Sequence, residues 1–391
     1  MTFEMPIKPV KKIFFFTILI LLFVLSIEIL SRLSSIKNND TTNFLGKNWY
    51  NLLPLELPDI THLTKHHITH PDAFRVYDPL LGWKLDSNKK APPYYYSSPH
   101  GSRITKEEFE NNVVVKKTDI MTIGDSFTHG IDVNCEESWP YILGQLSNKN
   151  VVNYGVPGYG IDQAILSYIY STIDADTIIL GIIPGDFERA TNIIYGSIYR
   201  GGNKSKPMFV FNSDGKYEVK NQPCLVGLDL WHEFKLGVDS DILRIEKNYD
   251  DILFRKDFLD IFMTYRILKM FNYRYKYITP PIYLKSGSNQ NYNYILKILK
   301  VFLDECLKRN DFPIILLLDN GKTFIDRVNY NNPWENIITD LKNMGFFVVE
   351  PLEKIVSLYN DDPSNIINHD GVHYTPLANK LIAEHIQENI K

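Results

Sequence analysis

Short apolar runs that alternate with amphipathic stretches constrain the fold of this chain more than any other feature. The runs are rich in Ile, Val and Leu, as is typical of strands buried on both faces of a sheet. They occupy residues 119–124, 150–155, 177–183, 312–319 and 346–350. Stretches that predict helices lie at 137–148, 161–172, 292–308, 334–344 and 376–390. The alternation predicts an α/β fold with a doubly wound, mostly parallel sheet of five strands.

A second feature lies near the N-terminus, where residues 13–30 are almost continuously apolar. Roughly eighteen residues are close to the lower limit for a helix that crosses a bilayer. The only polar residues in the run are Thr17, Ser26 and Glu28. At 1.5 Å per residue, Glu28 would lie about 24 Å beyond Lys12, near the far interface, with Arg32 as its partner four residues on. We therefore predict a transmembrane anchor at 13–32.

Lysines set the expected orientation of this anchor. Lys8, Lys11 and Lys12 precede the apolar run, so the positive-inside rule leaves residues 1–12 as a cytoplasmic tail and sends the rest across. A cleaved signal peptide is the main alternative, but no small-x-small cleavage pattern follows the run. A buried helix of a soluble protein is a second alternative, which the flanking lysines disfavour. We predict a single-pass protein of the cytoplasmic membrane with an extracytoplasmic catalytic domain.

The charge balance and the cysteines argue against several classes of function. Lys+Arg number 42 and Asp+Glu 46, and the net charge of −4 offers no electrostatic reason for nucleic-acid binding. Cys135, Cys224 and Cys306 are widely spaced and form no Cys-x-x-Cys, so they predict neither a metal site nor a disulfide framework. We expect all three to be buried as small apolar residues, while the oxidation of one pair stays open.

The rest of the chain is predicted to comprise a linker and one large domain. Residues 33–73, rich in Asn, Thr and Leu-Pro, form the linker. Its histidines suit exposed loop positions better than metal binding, because no carboxylate lies between them; they are His62, His66, His67 and His70. The domain covers 74–391, and its alternation lapses at about 188–291. This insertion could cover a site as a lid or substrate platform, or its aromatic residues could simply pack onto the core.

Three residues that are distant in sequence have the chemistry of a hydrolytic site. Ser126 follows the first predicted strand, and Asp370 and His373 stand just before the last helix. A serine hydroxyl is a poor nucleophile at its own pKa, so it needs an imidazole to take its proton and a carboxylate to orient that imidazole. One loop can present Asp370 and His373 on the same side. Each residue alone has a structural alternative, as a turn, a packed side chain or a helix cap.

These residues lie in segments that resemble the SGNH/GDSL hydrolase superfamily. Gly124-Asp125-Ser126 resembles its first block, residues 153–158 (Asn-Tyr-Gly-Val-Pro-Gly) its second, and Asp370-Gly-Val-His373 its last. Further similarity points to a membrane-anchored bacterial branch, at residues 78–83, 100–103, 127–130 and 138–140. The resemblance covers roughly 74–190 and 312–388.

The resemblance implies a flavodoxin-like SGNH fold and a catalytic triad. Ser126 would be the nucleophile, His373 the general base and Asp370 the residue that orients it. The backbone N–H groups of Ser126 and Gly158 would hold the oxyanion, and Gly185 is a third candidate for that site.

Position 185 departs from the family pattern. The third block usually carries Gly-x-Asn-Asp, in which the Asn side chain is an oxyanion donor, but here Gly185 stands where that Asn would be. Loss of one donor commonly costs about a hundredfold to a thousandfold in turnover. Either another group supplies the donor, as Asn192 would if its loop folded back, or the activity is weak.

The resemblance implies a membrane-tethered serine esterase or O-acyltransferase that acts on ester groups, above all acetyl groups, of envelope or exported glycans. The alternative is a catalytically weakened protein of the same fold that binds or assembles envelope components. Neither function implies a metal or an organic cofactor. The expected partners are an ester or acetylated glycan, the membrane through the N-terminal helix and, for a transferase, an acyl-donor membrane protein; nucleic acid is not expected.

Overall fold

A computed structural model of the protein describes residues 7–38, 41–45, 47–50, 74–91, 93–195, 204–247, 249–250, 257–277, 282–287, 289–327 and 332–390. The four linker histidines lie outside the described residues. The strands are β1 Ser35–Asn38, β2 Thr41–Phe44, β3 Lys47–Tyr50, β4 Arg75–Asp78, β5 Gly82–Leu85, β6 Lys90–Ala91, β7 Tyr95–Ser97, β8 Arg103–Ile104, β9 Lys117–Gly124, β10 Val151–Gly155, β11 Asp174–Ile182, β12 Ile194–Tyr195, β13 Lys204–Ser205, β14 Met208–Phe211, β15 Tyr217–Lys220, β16 Phe312–Leu317 and β17 Phe347–Val349.

The helices, in chain order, are α1 Ile7–Leu33, α2 Lys106–Glu110, α3 Ser126–His129, α4 Trp139–Ser147, α5 Ile161–Ile169, α6 Pro184–Ala190, α7 Gly227–Leu236, α8 Asp241–Ile245, α9 Met263–Tyr277, α10 Gln290–Arg309, α11 Gly321–Asp326, α12 Glu335–Met344, α13 Glu353–Asp361 and α14 Pro376–Asn389. Short 3-10 turns lie between several of them.

The central sheet has the predicted parallel architecture. Its order is β17-β16-β11-β9-β10-β8-β7-β6, and the first five strands pair in parallel. In chain order these five are β9, β10, β11, β16 and β17, which gives the flavodoxin-like order 2-1-3-4-5 across the sheet. The predicted fold class is therefore confirmed. The three remaining strands extend the sheet in antiparallel fashion and were not predicted.

Burial on both faces explains why the parallel strands are apolar throughout. Along β11, Ile178 and Leu180 pack into one hydrophobic cluster, while Ile179 between them packs into a second cluster on the opposite face. The first cluster includes residues of α5, α10 and α12, and the second includes residues of α4, α13 and α14. Helices thus cover both faces of the sheet, as a doubly wound fold requires.

The N-terminal helix α1 continues well beyond the apolar run. Residues Lys11–Leu33 are long and apolar enough to cross a membrane, and most of their large apolar side chains are exposed in the folded chain. A signal sequence near the N-terminus would meet the same criterion. Within the predicted linker, β1, β2 and β3 pair as a small antiparallel sheet.

The insertion packs against the main domain through buried polar contacts. The Lys206 ammonium forms an ion pair with Asp162 of α5, and both side chains are almost fully buried. The Tyr77 hydroxyl of β4 donates to the Cys224 carbonyl oxygen of the insertion at 2.8 Å. The insertion therefore folds with the sheet as one body. Cys135, Cys224 and Cys306 are all buried, as expected, and none forms a disulfide.

Candidate active site

Ser126 lies where the central strand β9 ends and the short helix α3 begins. Asp125 caps this helix, because its Oδ1 accepts the Phe127 amide N–H at 2.8 Å. Gly124 makes the turn possible: its φ is +154°, and a β-carbon there would lie 2.3 Å from Thr128 Oγ1. The turn places Ser126 at the carboxyl edge of the parallel strands, where ligands bind in such sheets.

Asp370 and His373 lie together on the loop that leads into α14. His373 Nδ1 and Asp370 Oδ2 are 2.5 Å apart. Asp370 Oδ1 accepts the amide N–H groups of Val372 and His373, each at 2.9 Å. Burial raises the pKa of the Asp370 carboxyl, but these amides and the imidazole more than offset it, so the pKa lies below its usual value. A carboxylate therefore orients the imidazole, as proton transfer through His373 would require.

Aromatic packing connects the serine turn with the histidine loop. The Phe127 ring, adjacent to Ser126, lies 5.3 Å from the His373 ring and 4.8 Å from the Tyr374 ring, measured between centroids. The Ser126 hydroxyl hydrogen-bonds to Asp125 Oδ2 at 3.4 Å, and in the described structure it makes no hydrogen bond to His373. Catalytic hydrogen bonds are often long or unformed before substrate binds.

A second acidic group, Asp132, adjoins the Asp370–His373 pair and was not predicted from the sequence. Its Oδ2 lies 4.0 Å from His373 Nδ1. Burial, together with a hydrogen bond shared with Asp370, raises the pKa of the Asp132 carboxyl. Among the described residues, Asp132, Asp370 and His373 are also the one group whose ligand atoms lie close enough together for a metal ion, within 4.8 Å.

Two backbone donors lie on the segments that follow β9 and β10. In the described structure, the amide N–H groups of Ser126 and Gly158 have no hydrogen-bond acceptor. Gly158 has a φ of +87°, and a β-carbon there would lie 2.7 Å from Tyr195 Oη. Only glycine fits this position without displacing the tyrosine. Both amides therefore remain available for a developing negative charge.

Gly185 follows β11 as the second residue of α6 and supplies no side-chain donor. A β-carbon at this position would lie 3.7 Å from Arg189 Nη2 and 3.7 Å from Ile183 Cδ1, which are ordinary contact distances. The Asn192 side chain, considered as a replacement donor, instead donates to the Glu188 carbonyl at 3.0 Å. The polar group nearest to this β-carbon is therefore the Arg189 guanidinium.

Arg189 joins two buried carboxylates beneath the serine turn. Its Nη1 donates to Asp125 Oδ2 at 2.9 Å, to Asp186 Oδ1 at 2.7 Å and to the Tyr159 carbonyl at 3.0 Å. Burial, reinforced by the negative charge of Asp125, raises the pKa of the Asp186 carboxyl well above its usual value. Arg189 thus holds together the ends of β9 and β11 and the loop that follows β10.

His129, at the end of α3, is a fully buried histidine whose environment the sequence did not indicate. Neither ring nitrogen has a hydrogen-bond partner within the described residues. Its ring lies 5.4 Å from that of Tyr95 and 5.8 Å from that of Phe74. Burial, followed by the positive charge of Arg103, lowers the pKa of His129 well below its usual value. Its imidazole is therefore neutral and serves to pack the turn.

Comparisons with known proteins identify solved structures of similar type. No family model and no curated protein matches the chain. A member of the lipolytic protein G-D-S-L family from Veillonella parvula DSM 2008 is 13% identical, with 70% of this chain and 97% of that chain covered and a TM-score of 0.35. LAE5, an alpha/beta hydrolase enzyme from the metagenome of Lake Arreo, is 11% identical, with coverages of 71% and 96% and a TM-score of 0.34. An acetyl xylan esterase, Est2A, from the rumen bacterium Butyrivibrio proteoclasticus is 12% identical, with coverages of 71% and 64% and a TM-score of 0.31. At such low identities and TM-scores these likenesses carry no argument about function, which rests on the geometry of the site.

Proposed function

We propose that the protein is a membrane-tethered serine esterase or O-acyltransferase that uses Ser126, His373 and Asp370. The observation that supports this most directly is the hydrogen bond between His373 and Asp370, beside a serine at the carboxyl edge of the sheet. The unpaired amides of Ser126 and Gly158 add a place for an oxyanion. In this proposal the nucleophile, the base, the orienting carboxylate and the oxyanion donors act on one reacting carbonyl.

In the proposed reaction, Ser126 Oγ attacks the carbonyl carbon of an ester while His373 Nε2 takes the hydroxyl proton. Asp370 holds the opposite nitrogen, Nδ1, in its protonated form and stabilises the resulting imidazolium. The negative charge that develops on the carbonyl oxygen is held by the N–H groups of Ser126 and Gly158. His373 then gives its proton to the departing alkoxide, which leaves the acyl group on Ser126.

A second half-reaction releases the acyl group. Water, or a sugar hydroxyl in a transferase, loses its proton to His373 and attacks the acyl-enzyme, and Ser126 then regains its proton. The acceptor that reacts depends on how well the insertion excludes water. Before the first step, substrate must turn the Ser126 hydroxyl from Asp125 towards His373.

The proposed substrate is an ester group, above all an acetyl group, on an envelope or exported glycan. One consideration favours an envelope or exported glycan, and another favours a small acyl group. The domain would meet such glycans because it would lie outside the cytoplasmic membrane if α1 is an anchor with the predicted orientation. Tyr195 Oη closely approaches Gly158, which limits the room for a long acyl chain beside the oxyanion donors.

The proposal is tested by labelling the purified full-length chain with a serine-directed fluorophosphonate. Wild-type protein should be labelled at Ser126, Ser126→Ala should lose the label, and His373→Ala should nearly lose it because the serine is no longer deprotonated. Ester turnover should follow the same order, with Asp370→Asn retaining more activity than His373→Ala. Circular dichroism of each variant checks that it is folded.

The alternative is a binding or assembly protein that has kept the fold. Gly185 favours it, because one oxyanion donor is missing there. Wild-type turnover or labelling that persists in Ser126→Ala would refute the catalytic proposal and leave this alternative. A screen of short-chain acyl esters and acetylated glycans, run beside the labelling, would define the acyl group.

A further inference from the structure

Five large apolar side chains of the insertion are exposed between residues 258 and 271. We call them the apolar flank: Phe258, Ile261, Phe262, Leu268 and Phe271. Phe258 is 84% exposed, Ile261 70% and Leu268 59%. Phe258 and Ile261 lie in the 3-10 turn Phe258–Ile261, Phe262 follows it in extended backbone, and Leu268 and Phe271 lie three residues apart on α9. Ile267 and Met270 of α9 are buried. Such a patch on a folded domain indicates a surface that meets a partner or a membrane.

The flank is attached directly to the N-terminal helix. Glu28 of α1 accepts the Met263 and Thr264 amide N–H groups at 2.8 and 3.0 Å, which satisfies the free donors at the start of α9. Arg32 Nη2 donates to the Ile261 carbonyl oxygen at 2.6 Å. These contacts hold Phe258, Ile261 and Phe262 at the same depth relative to a membrane as Glu28 and Arg32.

That level is the outer edge of the bilayer if α1 spans it. Glu28 lies about 24 Å beyond Lys12 along the helix, and the hydrocarbon core is about 30 Å thick. Phe258, Ile261 and Phe262 would therefore lie where headgroups meet acyl chains. This region accepts an amphipathic helix that lies in its plane.

The charge of the segment that carries the flank favours anionic lipid headgroups. In the segment 257–277, which carries the flank, the acidic residues are Asp257 and Asp260, and both bind the Lys269 ammonium at 3.0 Å. The other basic residues of that segment are Arg266, Arg274 and Lys276, so basic residues outnumber acidic ones. An excess of positive charge beside a membrane-level apolar surface is typical of segments that bind anionic headgroups.

We propose that the apolar flank rests in the headgroup–acyl boundary of an anionic bilayer, next to α1. The proposal rests on α1 as a membrane anchor but not on the proposed chemistry. With two adjacent elements in contact with lipid, the domain is held at one height and tilt, so the site would face acceptors at a fixed distance from the membrane.

The test uses the full-length chain in vesicles that contain phosphatidylcholine, phosphatidylglycerol and a lipid with a spin-label quencher in its acyl chain. An environment-sensitive fluorophore is attached to Leu268→Cys, since the three natural cysteines are buried. Leu307→Cys is the matched control: it is also a helical leucine, 60% exposed, with basic residues next to it. A third label, at Leu21→Cys, reports on the anchor itself.

We expect the lipid spin label to quench the Leu268 label, because an interfacial helix buries its apolar face about 5–10 Å into the headgroup–acyl boundary, while the Leu307 label stays unquenched. Leaving out phosphatidylglycerol should weaken quenching at Leu268 but not at Leu21. Quenching at Leu21 with none at Leu268 would overturn the proposal and indicate a protein partner or a bare surface. No quenching at Leu21 would overturn the anchor, and this inference with it.

Discussion

Replacement of Gly185 by Asn should raise ester turnover about a hundredfold, because it restores the donor that the third block lacks. One oxyanion donor is worth roughly a hundredfold to a thousandfold, or about 2.7–4 kcal/mol of transition-state stabilisation. The structure accommodates the change: the new β-carbon would have its nearest neighbours at 3.7–3.8 Å, and Gly185 does not use a left-handed backbone conformation. Its place in the first turn of α6 also tolerates a side chain.

The assay is kcat for hydrolysis of a short-chain nitrophenyl ester by the purified full-length protein. Gly185→Ala is the matched control, since it adds the same β-carbon without an amide, and its turnover should stay within about twofold of wild type if the donor is what matters. Equal turnover in Gly185→Asn and Gly185→Ala would refute the reasoning. In that case Arg189, whose Nη2 lies beside the new side chain, would be the group to replace next.

Three other substitutions test the packing around the site. Gly158→Ala should lower both kcat and the melting temperature, because its backbone is left-handed and the β-carbon meets Tyr195. Burial lowers the pKa of His129, so its imidazole is neutral in the folded protein. Its contribution to the free energy of unfolding is therefore complete above the unfolded pKa of about 6.5 and is lost as the pH falls below that value. Denaturant titrations should show stability dropping by up to about 1.4 kcal/mol per pH unit below that point, and His129→Gln should remove this part of the slope. Lys206→Met leaves Asp162 buried without its partner and should cost about 3–5 kcal/mol, whereas the double variant with Asp162→Asn should recover part of it.

The five parallel strands could be predicted because each packs on both faces, which makes them apolar throughout. Ile178, Ile179 and Leu180 show this pattern within one strand. The three antiparallel strands could not be predicted, because they have two or three residues each and include Lys90 and Arg103. Strands so short show no measurable alternation. Their position depends on backbone pairing of β8 with β10, of β7 with β8 and of β6 with β7.

The sequence predicts the candidate site residues by their type and local spacing, but not the contacts that the tertiary fold creates. Ser126, Asp370 and His373 have the residue types and the local spacing of a triad, and that assignment stays a prediction. Asp132 gave no signal, since it reaches His373 from a loop that only the tertiary fold brings near. The Asp186–Arg189 spacing of three residues on α6 was a usable sign of an ion pair. The second carboxylate that Arg189 binds, Asp125 after β9, could not be identified as its partner from the sequence.

The buried pair of Lys206 and Asp162 bears on how this chain can change over evolution. One partner belongs to a helix of the core and the other to the insertion. A homologous chain that lost the insertion, or acquired an unrelated one by recombination, would keep the Asp162 carboxylate in its interior without a positively charged partner. Positions 162 and 206 should therefore be replaced together among homologous chains, and an exchange of insertions between relatives should succeed only when both residues are transferred.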